Sequence, residues 1–295
     1  MLVLVLGMSR EPPPTITSTA KIVDNTVYII TCIMHNAGYM TTLLEVDDLS
    51  KHFLKDEREI VALRDFTLRV DQGSFVTLLG RSGCGKSTLL NLVAGLLPPT
   101  SGTVAYRGQQ VDGPRRELGY LTQSDTLMPW RDVRRNVELP LELRGVDKRE
   151  RRSVAHRLID TVGLRGFERH YPRELSGGMR RRASLARMLC GDPETLLLDE
   201  PFGALDAQLR AELQGELLRL WSGSGRTVVF VTHDLEEALL LGDRVVVLGH
   251  AGRLVLDQPV DLPRPRDLDE IRLHPRFVEL HRVVSTALKD ASRSP

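Results

Sequence analysis

The chain has 295 residues, enough for one large domain or two small ones, and its 40 basic residues set against 39 acidic ones leave a formal net charge of +1. That balance argues against nucleic acid as a partner, because affinity for a phosphate backbone needs a basic surplus. Three cysteines, Cys32, Cys84 and Cys190, cannot all pair within the chain, and such sparse use fits a reducing compartment, so a cytoplasmic location is expected.

Residues 1–39 carry no persistent helical or strand period, and the stretch from Glu11 through three prolines to Thr19 has a linker composition. They read as a disordered extension, or as a leader ahead of a true start at Met40. Neither Met1 to Leu6 nor Val27 to Met34 approaches the ~20 apolar residues of a membrane-crossing helix. Arg10 follows the first apolar run instead of preceding it, against the order of a secretory signal.

From Leu43 short β-branched runs alternate with turn signals, and Ser74 to Leu79 leads straight into a glycine-rich turn and then a helical pattern from Ser87. The turn, Gly80-Arg81-Ser82-Gly83-Cys84-Gly85-Lys86-Ser87-Thr88, matches the P-loop pattern in the strand–loop–helix setting that the motif needs. Glycines at 80, 83 and 85 let backbone N–H groups approach phosphate oxygens, and the helix start adds partial positive charge. Lys86 is expected to reach the β- and γ-phosphates, and the Ser87 hydroxyl to ligate Mg²⁺. Cys84 reads as a small residue of the turn, not as a nucleophile.

Between Arg131 and Arg173 charge is dense and the pattern turns helical, which reads as an inserted helical region with solvated faces. Leu175-Ser176-Gly177-Gly178 follows, a second glycine turn at a helix start. Thr195 to Leu198, Thr227 to Val231 and Arg244 to Leu248 are short apolar runs separated by helical patterns, as in a buried parallel sheet, so an α/β core is expected. The first of these ends in Asp199 and Glu200. A divalent cation, reached through water, accounts for Asp199, and Glu200 is placed to orient the attacking water.

Together the P-loop, the Asp199-Glu200 strand end and the Leu-Ser-Gly-Gly turn resemble the ATP-binding cassette family over about residues 43–262. The resemblance implies a P-loop NTPase (RecA-like) α/β core with an antiparallel β subdomain and an inserted α-helical subdomain. The core would take residues 40–126 and 187–262, the helical subdomain with its signature turn 127–186, and 263–295 would form a C-terminal tail with a short helix near Phe277. ATP and Mg²⁺ are the cofactors implied. Gln123 resembles the glutamine that touches Mg²⁺ and the attacking water, Asp206 the loop acid that communicates between protomers, and His233 the histidine that senses the γ-phosphate. Ser176, Gly177 and Gly178 would contact the γ-phosphate of nucleotide held by the opposite protomer of a homodimer. Phe53 is either the aromatic that stacks on adenine or an ordinary strand residue of the core.

Two stretches, from Leu127 to Glu142 and from Val260 to Asp267, resemble the nitrate, sulfonate, taurine and bicarbonate importers. They imply a cassette on the inner face of the cell membrane, working with a separate permease and, indirectly, an extracytoplasmic solute-binding protein. A coupling helix of the permease is expected near residues 123–130. There Met128 and Trp130 offer apolar contact, unless Trp130 packs inside the helical subdomain. Three positions depart from the family pattern: Met179 and Arg181 stand where glutamine is usual, and Ala251 replaces a proline. A cytosolic ATPase of repair or assembly, without a transport role, is the alternative.

Overall fold

A computed structural model of the chain describes residues 41–55, 58–203 and 205–291; the leader expected over residues 1–39 and Cys32 lie outside them. Two strands, β1 (Thr42–Lys55) and β2 (Arg58–Asp71), pair antiparallel, and β4 (Ser101–Tyr106) and β5 (Gln109–Gln110) complete a sheet in the order β2-β1-β4-β5. The strand between them in sequence, β3 (Phe75–Gly80), belongs to a second sheet with β6 (Leu118–Leu121), β7 (Thr195–Asp199), β8 (Thr227–Thr232), β9 (Arg244–Leu248) and β10 (Leu254–Pro259). Its order is β10-β9-β3-β8-β7-β6, parallel from β9 to β6 and closed at one edge by antiparallel β10.

The central strands are apolar throughout because both of their faces are covered. Leu196, Leu198, Val228 and Phe230 point into one cluster, while Leu197, Val229 and Val231 point into another, the two-residue alternation of a pleated strand. The first cluster is shared with the helical insertion: α2 (Val133–Leu143), α3 (Lys148–Thr161) and α4 (Gly177–Cys190) contribute Val137, Ile159 and Ala186. Helix α3 buries only Ala155 and Ile159, so its arginine-rich surface is the solvated face that the charge run predicts. The second cluster joins the antiparallel sheet to α1 (Lys86–Val93), with Leu44, Phe66, Val70 and Tyr106 against Leu89 and Leu92.

Two expected boundaries differ from the structure. The border at 186/187 falls inside α4, which runs unbroken to Cys190 because Ala183, Ala186 and Leu189 form one buried face. The C-terminal helix is not a short appendage but 17 residues long, α7 (Pro275–Ala291). Phe277, Leu280 and Val284 pack with Leu79, Val245 and Val247 of the sheet and with Leu239 of α6 (Leu235–Leu241). Among the described residues no helix is long and apolar enough to cross a membrane.

Candidate active site

Ligands of open parallel sheets collect beyond the carboxyl ends of the strands, and here four neighbouring strand ends carry the expected residues. Register explains how they meet. Leu121 of β6 pairs with Leu198 of β7, so two residues further on Gln123 comes level with Glu200; Asp199 pairs with Val231 of β8, which brings His233 to the other side. Leu79 of β3 pairs with Thr232, so the P-loop leaves the sheet at the same level.

The result is a ring of polar groups around one carboxylate. Glu200 Oε2 accepts from Gln123 Nε2 at 3.3 Å and lies 3.2 Å from His233 Nδ1, and Oε1 is 4.0 Å from Lys86 Nζ. The backbone of Glu200 is in the left-handed region, with φ 43°, and its N–H donates to Val231 O at 3.0 Å. A non-glycine residue held there is strained, a conformation that concentrates at functional sites.

In the P-loop, Gly83 (φ 83°) and Gly85 (φ 104°) take positive φ, and a Cβ on Gly85 would collide with the carbonyl of Ala62. That conformation turns successive N–H groups inward, a nest for anions at the start of α1. The Lys86 ammonium is buried and donates to Gly80 O at 2.7 Å and Arg81 O at 2.9 Å. Arg81 and Ser82 are exposed and Thr88 is half-buried on the first turn of α1. Burial pushes the Cys84 thiol up, against the neighbouring Lys86 ammonium.

Ser87 Oγ donates to Asp199 Oδ1 at 3.1 Å. A hydroxyl and a carboxylate are hard oxygen donors, and with phosphate oxygens, water and the Gln123 amide oxygen they fit a Mg²⁺ ion bound with nucleotide. Burial pushes the Asp199 carboxyl up, and Glu200 adds to the rise against the Ser87 hydrogen bond. Tyr120, which sequence reasoning passed over, stands beside Asp199; burial first and then that carboxylate push its phenol up.

Of the remaining expected residues, Gly177 shares the lining of one cavity with Gln123 and Glu200. Ser176 is the N-cap of α4, its hydroxyl accepting from Met179 N at 3.2 Å. A Cβ on Gly178 would collide with Leu209 of α5 (Ala207–Trp221), so the glycine permits close packing there. Asp206 caps α5 and accepts from Leu209 N at 2.9 Å. Phe53 is 37% exposed on β1, with Lys51 Nζ 5.3 Å from its ring centroid, which removes the reading of Phe53 as core. Trp130 is 70% exposed, which likewise removes packing inside the helical subdomain.

The departure at 181 has a structural account that the sequence did not supply. Arg181 of α4 is buried, and its guanidinium donates to Pro201 O at 2.7 Å, Asp199 O at 3.2 Å, Gln123 O at 3.3 Å and Thr122 O at 2.5 Å. On the same helix Arg180 pairs with Asp125 at 2.7 Å, and Arg187 donates to Thr126 O at 2.7 Å. The only signal available earlier was a basic residue in place of a neutral one.

Comparison with known proteins shows the family. Residues 63–203 match the ABC transporter family. The chain is 47% identical over 252 residues to an uncharacterized ABC transporter ATP-binding protein of Methanocaldococcus jannaschii, covering 85% of this chain and 93% of that one. It is 42% identical over 241 residues to a taurine import ATP-binding protein of Roseobacter denitrificans, covering 80% and 90%. A dimeric ATP-binding cassette solved in a post-hydrolysis state with ADP and Pi superposes with a TM-score of 0.69 at 31% identity, over 74% of this chain and 99% of that one.

Proposed function

The chain belongs to the ATP-binding cassette family of transporter ATPases, and from that premise we propose that it energises uptake of a small solute through a separate membrane permease. The similarity to a taurine import protein, with the importer-like stretches at 127–142 and 260–267, favours a small anionic or zwitterionic solute. The observation that carries the enzymatic reading is the convergence of Lys86, Gln123 and His233 on Glu200, beside the Ser87–Asp199 pair.

In this reading the P-loop amides and the Lys86 ammonium hold the β- and γ-phosphates of ATP, and Phe53 stacks on the adenine. Ser87, Asp199 and Gln123 would hold Mg²⁺, which would neutralise charge on the phosphates. Glu200 orients a water and accepts its proton as the oxygen bonds to the γ-phosphorus and the bond to the ADP oxygen breaks. His233 donates to the γ-phosphate and, once phosphate leaves, returns to Glu200. Two chains pack head to tail, each P-loop facing the Ser176-Gly177-Gly178 turn of the other, and Asp206 relays between them.

Nucleotide thereby favours a closed pair and hydrolysis releases it, a shift of population that the permease reads on the cytoplasmic face of the membrane. The docking surface runs through residues 123–130, where Trp130 stands exposed. Purified chain should release phosphate from ATP only when Mg²⁺ is present. Glu200→Gln should bind ATP yet lose on the order of 10²- to 10⁴-fold in turnover, the usual range for a positioned base. Near-normal turnover in that variant would assign the base elsewhere.

A further inference from the structure

Arg181 is 7% exposed, yet among the described residues no carboxylate pairs with it; its neighbours are the four carbonyls of Thr122, Gln123, Asp199 and Pro201. Burial pulls the guanidinium down to about 10, with Asp199 and Asp125 opposing, so it stays charged at neutral pH. Burying a cation is costly, and the cost is met here by backbone dipoles in place of a counter-ion. Those dipoles come from two segments that are remote in sequence. Thr122 and Gln123 lead out of β6, whereas Asp199 and Pro201 flank the strained Glu200.

The geometry of this contact suits arginine and not the glutamine that the family pattern places there. A guanidinium offers five N–H groups in a fixed plane, while a glutamine amide offers two. The pair of loops that Arg181 bridges carries the direct Gln123 Nε2 to Glu200 Oε2 contact of 3.3 Å, so the bridge sets how these two side chains stand to one another. Arg180 on Asp125 and Arg187 on Thr126 fasten the same loop to α4 at two further points. At its N-terminus, α4 begins with the Ser176 cap.

We infer that Arg181 is a positioning residue for hydrolysis, locking the Gln123 loop to the Glu200 turn so that any displacement of α4 moves both loops as one body. The inference rests on the ATPase reading above and adds a link between a chain's own water-orienting groups and the helix whose start faces the partner's nucleotide. It requires that turnover depend on Arg181 more than nucleotide affinity does.

The test uses full-length Arg181→Met, Arg181→Gln and Arg181→Lys beside wild type and Glu200→Gln. Arg181→Met should lower kcat on the order of tenfold to a hundredfold, the effect of a small misplacement of reacting groups, while Kd for labelled ATP stays within about threefold. Arg181→Lys, which keeps the charge with fewer donors, should recover part of the loss. Amide hydrogen exchange, which needs no turnover, should quicken over residues 122–126 and 199–203 and stay slow in the P-loop. Wild-type kcat in folded Arg181→Met would overturn the assignment, as would kcat and affinity falling together by one factor, or exchange unchanged in both segments. If the Met variant does not fold, the Lys variant decides: lowered kcat at unchanged Kd supports the role, and unchanged kcat overturns it. A wild-type ATPase that Glu200→Gln silences, while the Arg181 variants turn over normally, would contradict this inference alone. A wild-type chain that splits no ATP would contradict the functional reading and this inference with it.

Discussion

His233 Nδ1 lies 3.2 Å from Glu200 Oε2, although the two residues leave different strands of the parallel sheet. The contact follows from the β7–β8 register, which pairs Asp199 with Val231, and from the turn in which Glu200 N donates to Val231 O. In the proposed function the pair is a two-position element that nucleotide biases, the kind of local change that larger motions build on.

Phe53 stands exposed near the hairpin end of β1, opposite Ile60 of β2 and beside Lys51. Stacking of a base on an aromatic ring is worth about 1–3 kcal/mol, so Phe53→Ala should weaken ATP binding by roughly tenfold. Phe53→Tyr should keep it, since only the ring face is used. Titration with a fluorescent ATP analogue checks both, and equal affinity in the alanine variant would remove the stacking role.

Trp130, 70% exposed, contributes little to the fold. Trp130→Ala should leave the melting temperature and the ATPase of the isolated chain unchanged, because an exposed substitution of this kind stays within about 0.5 kcal/mol. Stimulation of the ATPase by the co-expressed permease should be lost. Full stimulation in the variant would move the docking surface elsewhere.

Arg266 ties the end of α6 to the C-terminal segment: its guanidinium is buried and donates to the carbonyls of Leu239 at 3.1 Å, Leu240 at 3.0 Å and Gly242 at 2.7 Å. Nearby, Arg264 Nε donates to Asp243 at 2.8 Å and its guanidinium stacks 4.4 Å from the Trp221 ring. Arg266→Met fills the space but strands the last carbonyls of a helix, which costs about 3 kcal/mol. Thermal unfolding should show a fall of roughly 10 °C. A melting temperature within error of wild type would mean that water or Arg264 satisfies those carbonyls.

How much of this was legible beforehand depends on the range over which each residue's meaning is set. The P-loop and the Asp199-Glu200 strand end are local patterns, readable from nine residues and from the short Thr195 to Leu198 run closed by two acids. Gln123 and His233 are single polar residues after apolar strands, and their adjacency to Glu200 comes from strand register, which a sequence does not display; the family resemblance supplied them. Arg181 and Arg266 were opaque because a basic residue in a helical or proline-rich stretch reads as solvated, and only the fold reveals the carbonyls that surround it. The periodicity from Phe277 announced a helix but not its length, nor the face of β9 and α6 that buries it.

In the proposed function nucleotide joins two chains, one P-loop against the other's Ser176 turn. The direct measurement is the sedimentation of Glu200→Gln with labelled ATP and, separately, with ADP. The account predicts a species of twice the chain mass that retains one nucleotide per chain with ATP, and the single chain with ADP. One and the same mass under both conditions, with no label retained, would contradict it.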